Sequence, residues 1–187
     1  MKKLSTREFV LLAVLIAILI VLANVNIPQP AGLSITFNMI PVAIAAIALG
    51  PAGGAIIGGV FGLISFLQCF GICGYSGMGA ILVSVSPALS FIQRFFPRLL
   101  DGFLLGYIYR FLKDRTPVSV GCGVTGFFAA FLNTLFFMTT LVWLFGGTEY
   151  MCNSMAGRGM FAYIVAAVGV NGLVEMLVST VLTSAVG

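Results

Sequence analysis

Long apolar runs at residues 9–25, 37–49, 52–69, 118–145 and 160–186 constrain this chain most, because they are too many and too long for the soluble core of a protein of 187 residues. Composition agrees: 60% of residues are hydrophobic, 7% are charged, and mean hydropathy is +1.17. The chain therefore reads as an all-α integral membrane protein. The first run follows Lys2, Lys3 and Arg7 and so imitates a signal peptide. No small-residue cleavage site is evident after it, and Asn24, Asn26, Pro28 and Pro30 follow instead, so it is read as a spanning helix. No linker or low-complexity tract divides the sequence, and residues 1–187 are expected to form one domain.

Against this apolar background the stretch RFFPRLLDGFLLGYIYR places Arg94, Arg98 and Asp101 at the mouth of a helix over residues 94–112. Their spacing of four and three stacks them on one helical face. Each such group costs about 2.5 to 3.5 kcal/mol at a bilayer centre, so the stripe must find partners or water. An Arg98 to Asp101 pair with Arg94 reaching into headgroups would satisfy it. A cationic fork for an anionic ligand would too, since a guanidinium grips a carboxylate through two parallel hydrogen bonds and stays charged.

Taken in order, helix 1 covers residues 8–25 and carries Ala13 and Ala17, two small residues one turn apart that let another helix approach closely. Residues 26–36, uncharged and containing Pro28, Pro30 and Gly32, read as a stiff outer loop. A short helix at 37–49 turns at Gly50 and Pro51 into a third at 52–69, where Gly54, Gly58 and Gly62 form a flat ridge for packing. Residues 70–93 are moderately apolar but broken by Gly71, Gly74, Gly77, Gly79 and Pro87. Charge decides their placement: as an outer or partly re-entrant loop they leave six spans, with Lys2, Lys3, Arg7, Arg110, Lys113 and Arg115 inside and Arg94, Arg98 and Arg158 toward the outside. A seventh span would abolish that inside excess. The fourth helix adds Gly102 and Gly106 as a second small-residue face. After a turn at residues 113–117, the fifth helix, 118–145, carries Asn133 near mid-depth and Trp143 near its outer end. Residues 146–159, with Glu149, Asn153 and Arg158, form the third outer loop, and the last helix, 160–186, bears Asn171 and Glu175 one turn apart. An intramembrane Glu beside an Asn is a site candidate, although an Asn there equally serves helix packing.

Several chemistries are poorly served. There is no His, and Cys69, Cys73, Cys122 and Cys152 lack the second pair a metal site would need. Free thiols are expected, with one disulfide among Cys69, Cys73 and Cys152 as the alternative. The charge of +4 lies on the helix flanks without aromatic interleaving, which argues against nucleic acid. No G-x-x-x-x-G-K-[ST] phosphate loop is present, so active movement of a solute would need energy from partners. An enzyme acting on lipid lacks a base and paired outer carboxylates. A structural or channel-like subunit, in which the arginines only lock helices, predicts no saturable ligand.

Together, Ala13 and Ala17, the run NMIPVAIAAIALGPAGGAIIGGVFG at residues 38–62 and FPRLLDGFLLGYIYR at residues 96–110 give the chain, over essentially its whole length, a resemblance to the substrate-binding S component of energy-coupling factor (ECF) vitamin transporters. The resemblance implies a six-helix bundle in a prokaryotic plasma membrane, with a cytoplasmic N-terminus and no cofactor. It implies capture of a vitamin from outside, then toppling against a transmembrane coupling subunit driven by two ATP-binding cassette ATPases. On this view Ala13 and Ala17 face the coupling subunit, and residues 26–36 and 70–93 supply the lid. Arg98, Asn133 and Asn171 are the first substrate-binding candidates, followed by Glu175, Gln68, Tyr75, Asn153 and Arg94. The pantothenate branch is the most similar, and two arginines suit its carboxylate. Riboflavin, folate, biotin and cobalamin are the alternatives.

Overall fold

A computed structural model describes residues 5–24, 27–28, 34–35, 37–148, 153 and 160–186, and the side chains of all of these except 27–28, 34–35 and 160–171. Among them are six α-helices: α1 (Thr6–Ala23), α2 (Met39–Leu67), α3 (Gly77–Val85), α4 (Pro87–Leu112), α5 (Val118–Phe145) and α6 (Met160–Val186). A two-residue antiparallel ribbon pairs Ile27 with Ile35 and Pro28 with Ser34. By length and apolar composition alone α1, residues 39–70 taken together, and α5 are long enough to cross a membrane.

α1 begins at a reciprocal cap in which Ser5 Oγ accepts from the Glu8 amide and the Glu8 carboxylate accepts from the Ser5 amide. Its Leu12, Leu15, Leu19 and Ala23 point into a core shared with Met39, Val42, Ile57, Phe61 and Leu105. α2 is two arms. Gly50, at φ 75°, ψ −163°, breaks the helical path, and only a residue without a Cβ adopts that backbone freely. The second arm folds back on the first: a Cβ on Gly53 would lie 3.1 Å from the Ala45 carbonyl, and one on Gly54 would lie 3.0 Å from the Ala46 Cβ. The helices expected at 37–49 and 52–69 are these arms.

The glycine ridge packs as its spacing foretold, and its partner is α4. A Cβ on Gly54 would collide with the Gly102 carbonyl and one on Gly58 with the Arg98 carbonyl, while one on Gly62 would sit 2.8 Å from Phe95 Cα. Gly106 in turn abuts Pro51. Backbones approach this closely because at each contact at least one side is a glycine.

The stretch at 70–93 differs from its expected form. It holds a 3-10 turn ending at Phe70, α3, and the first two turns of α4, so α4 starts at Pro87 instead of Arg94. Pro87 reads as a breaker in sequence, yet it occupies the first helical turn, where its missing N–H costs nothing, and Ser86 Oγ accepts from the Leu89 amide as N-cap. Ser76 caps α3 in the same way through the Gly79 amide. α3 then lays Met78 and Leu82 against Met138, Leu141, Val142 and Phe145 near the end of α5. As a result Arg94 and Arg98 are not at a helix mouth. They lie about 10 Å and about 16 Å along α4 from its start.

Candidate substrate-binding site

The ridge contact dictates where the arginines go. Because Gly58 meets the Arg98 backbone and Gly62 the backbone at Arg94 and Phe95, the side chains of both arginines emerge beside Phe61 and Ser65 of α2. α5 closes the third side with Phe137. Each helix thus contributes a pair one turn apart: Phe61 and Ser65, Arg94 and Arg98, Asn133 and Phe137.

The two arginines are used differently. Arg94 is 5% exposed and heavily engaged: one terminal nitrogen donates to Ser65 Oγ at 3.0 Å and the other to Ser76 Oγ at 3.1 Å. It ties the end of α2 to the cap of α3. Arg98, 6% exposed, donates one terminal nitrogen to the Arg94 carbonyl at 2.9 Å and bonds no hydroxyl as Arg94 does, while the Nε of both arginines has no hydrogen-bond partner among the described residues. Its guanidinium lies 4.4 Å from the Phe61 ring centroid and 5.0 Å from that of Phe137. Two ring faces stabilise a desolvated cation without consuming its N–H donors. Of the two arginines, Arg98 has the fewer side-chain hydrogen bonds to protein groups.

The Arg98 to Asp101 pairing that the sequence allowed is not formed by hydrogen bonds. Asp101 is fully buried, and neither of its carboxylate oxygens has a hydrogen-bond partner among the described residues. Other buried polar atoms share that condition: Asn133 Oδ1, Ser90 Oγ, and both Gln93 amide atoms. Ser90 and Gln93 lie on α4 within one turn of Arg94 and were not singled out from sequence, because a Ser and a Gln beside a proline read as loop. Buried polar groups are costly when left unbonded, and most of those on α4 lie within two turns of Arg94.

The remaining candidates fall unevenly. Glu175 of α6 is half-buried, lies near enough to Arg98 to act on it electrostatically, and lines a small cleft with Phe37, Met39, Ile40, Ala130 and Ser179. Gln68 is buried and donates to the carbonyls of Ala23 at 2.9 Å and Cys73 at 3.1 Å, so its amide N–H groups fasten the end of α2 to that of α1. Tyr75 is 70% exposed and Asn153 is exposed, both outside the cluster. Asn171 lies on α6, but its side chain is outside the described residues. Cys69, Cys73 and Cys122 are free thiols, and Cys152 lies outside the described residues. Among the described residues no cluster of His, Cys, Asp or Glu could hold a metal ion.

Apolar helices long enough to cross a bilayer, enclosing a guanidinium flanked by unbonded polar atoms, define a multi-pass membrane protein with a buried cationic site. Residues 7–187 match the family described as the ECF transporter, substrate-specific component, and the chain belongs to that family. It is 29% identical, over its full length and 94% of the relative's, to the pantothenic acid transporter PanT of Lactococcus lactis subsp. cremoris. It is likewise 29% identical, over 81% of its own length and 72% of the relative's, to the pantothenate transporter PanT of Leuconostoc mesenteroides subsp. mesenteroides.

Proposed function

We propose that this chain is the capture subunit of an ECF-type importer and that its cargo is pantothenate. The observation that carries the reading is Arg98, buried and held between two rings with donor capacity to spare. Pantothenate offers a carboxylate for that guanidinium, and an amide and two hydroxyls for Asn133, Asn171 and Glu175. The names of both PanT relatives support the same cargo. Gln68, Arg94, Tyr75 and Asn153 would then act at the rim, Gln68 and Arg94 by fixing helix ends.

In this reading the chain crosses the membrane six times with both arms of α2 counted, and its N-terminus is cytoplasmic. Support comes from the ends of the bundle. Gln68 reaches the end of α1 and Arg94 reaches Ser65, whereas Gly106 meets Pro51 at the opposite end. Arg7 at the start of α1 therefore shares an end with Arg110, Lys113 and Arg115, as a positive-inside arrangement requires. The substrate enters from the other end, beneath α3. Movement across the membrane draws on a coupling subunit and two ATPases, with Ala13 and Ala17 at the joint.

The rival reading, that the arginines only lock helices, has its support in Arg94, whose hydrogen bonds to Ser65 and Ser76 are those of a brace. Calorimetric titration of the purified chain with a vitamin panel separates the two. Trp143, 80% exposed, looks away from the site, so heat and not its fluorescence is the readout. Saturable submicromolar binding of pantothenate alone is expected. Binding of riboflavin, folate, biotin or cobalamin would keep the capture role and change the cargo, and silence across the panel in folded protein would sink it.

A further inference from the structure

At the end of the bundle opposite the arginine cluster, a cleft of about 430 Å³ between α4 and α5 is lined by Tyr107, Ile108, Phe111, Leu112, Val124 and Phe128. Its walls are apolar and its flank is open, with Tyr107 and Phe111 exposed. The turn between the helices forms its mouth, and that turn is braced: the Leu112 carbonyl accepts from the amides of Arg115 at 2.9 Å and Thr116 at 3.0 Å and from Thr116 Oγ1 at 3.0 Å. Arg115 does not project freely from it. Its guanidinium lies 4.0 Å from the centroid of the Phe111 ring, one of the walls. An exposed lysine, Lys113, stands two residues away, and Asp114 between them leaves the turn a net positive charge.

We propose that this cleft is a site for an anionic phospholipid, with an acyl chain lying between Ile108 and Phe128 and the phosphate on Arg115 and Lys113. The occupant follows from the pairing of surfaces. An apolar trough that opens on the membrane flank takes a hydrocarbon chain, and a cation anchored to the trough wall by its aromatic ring sits where the headgroup of that chain must emerge. Arg suits the phosphate because its fork presents parallel donors, and the aromatic contact orients the fork before the lipid arrives. A zwitterionic lipid fills the same trough but gains less from the two cations.

The test is native mass spectrometry of the full-length chain, released from detergent, against phosphatidylglycerol and phosphatidylcholine of identical acyl chains. The wild type should retain phosphatidylglycerol about tenfold more tightly than phosphatidylcholine. Lys113→Gln with Arg115→Gln should bring that ratio close to one while phosphatidylcholine retention holds, and Val124→Trp, which fills the trough, should weaken both lipids. Both charge substitutions change exposed side chains, so they decide the matter even where Val124→Trp fails to fold. Equal retention of the two lipids by the wild type, or an unchanged ratio in the double variant, would overturn the proposal. So would a protein dimer that phosphatidylglycerol does not displace, since the trough would then belong to a second copy of the chain.

Discussion

Arg98 and Arg94, one turn apart on the same helix, are expected to respond oppositely to truncation. Arg98→Ala should weaken pantothenate binding by about 1.5 to 3 kcal/mol, the value of a hydrogen bond to a charged group, with little loss of thermal stability. Arg98→Lys should recover only part of it, because an ammonium between Phe61 and Phe137 keeps the charge and loses the planar fork. Arg94→Ala should instead lower the melting temperature, since Ser65 and Ser76 lose the group that joins α2 to α3. If calorimetry showed affinity unchanged in Arg98→Ala, the brace reading would extend to both arginines. The arginines stand out in sequence because charge is scarce in an apolar helix. The rings that hold Arg98 do not: Phe61 and Phe137 are two of 17 phenylalanines, and nothing in spacing alone separates a ring facing a cation from one facing lipid.

Among the elements, the contact between α2 and α4 positions everything else, and neighbouring glycines test it. Gly58, in the four-residue ridge, and its neighbour Gly59, outside it, have different surroundings. Gly58→Ala drives a methyl into the Arg98 carbonyl and should cost about 1 to 3 kcal/mol, displacing Arg98 as it does so. Gly59→Ala meets only Leu99 and Phe95 at 3.7 Å, an ordinary contact, and should leave stability unchanged or raise it by up to about 1 kcal/mol. Thermal unfolding of both variants in detergent reads the difference, and equal melting temperatures would mean the helices separate more easily than their geometry implies. The ridge was legible because a four-residue glycine spacing is a local pattern. The start of α4 was not, because whether Pro87 breaks or begins a helix depends on what precedes it, and Ser86 as a cap is visible only once its hydroxyl meets the Leu89 amide.

At the scale of the whole molecule, what the bundle leaves uncovered matters as much as what it buries. α1 turns Leu12, Leu15 and Leu19 inward and leaves Val10, Ala13, Val14, Ala17 and Val21 exposed along its outer face. The two alanines make that face shallow enough for another helix to lie against its backbone. The proposed substrate site, around Arg98 between α2, α4 and α5, lies on elements other than α1. On the proposed reading, vitamin capture and assembly with the coupling subunit should therefore separate. Replacing Ala13 or Ala17 with Trp is expected to leave pantothenate affinity within about twofold of wild type, because no side chain that touches Arg98 moves. Co-purification with the coupling subunit and ATPases should fall sharply, since a bulky side chain holds the helices apart where close packing is the main attraction in lipid. Loss of vitamin binding with assembly intact would place α1 at the substrate site instead.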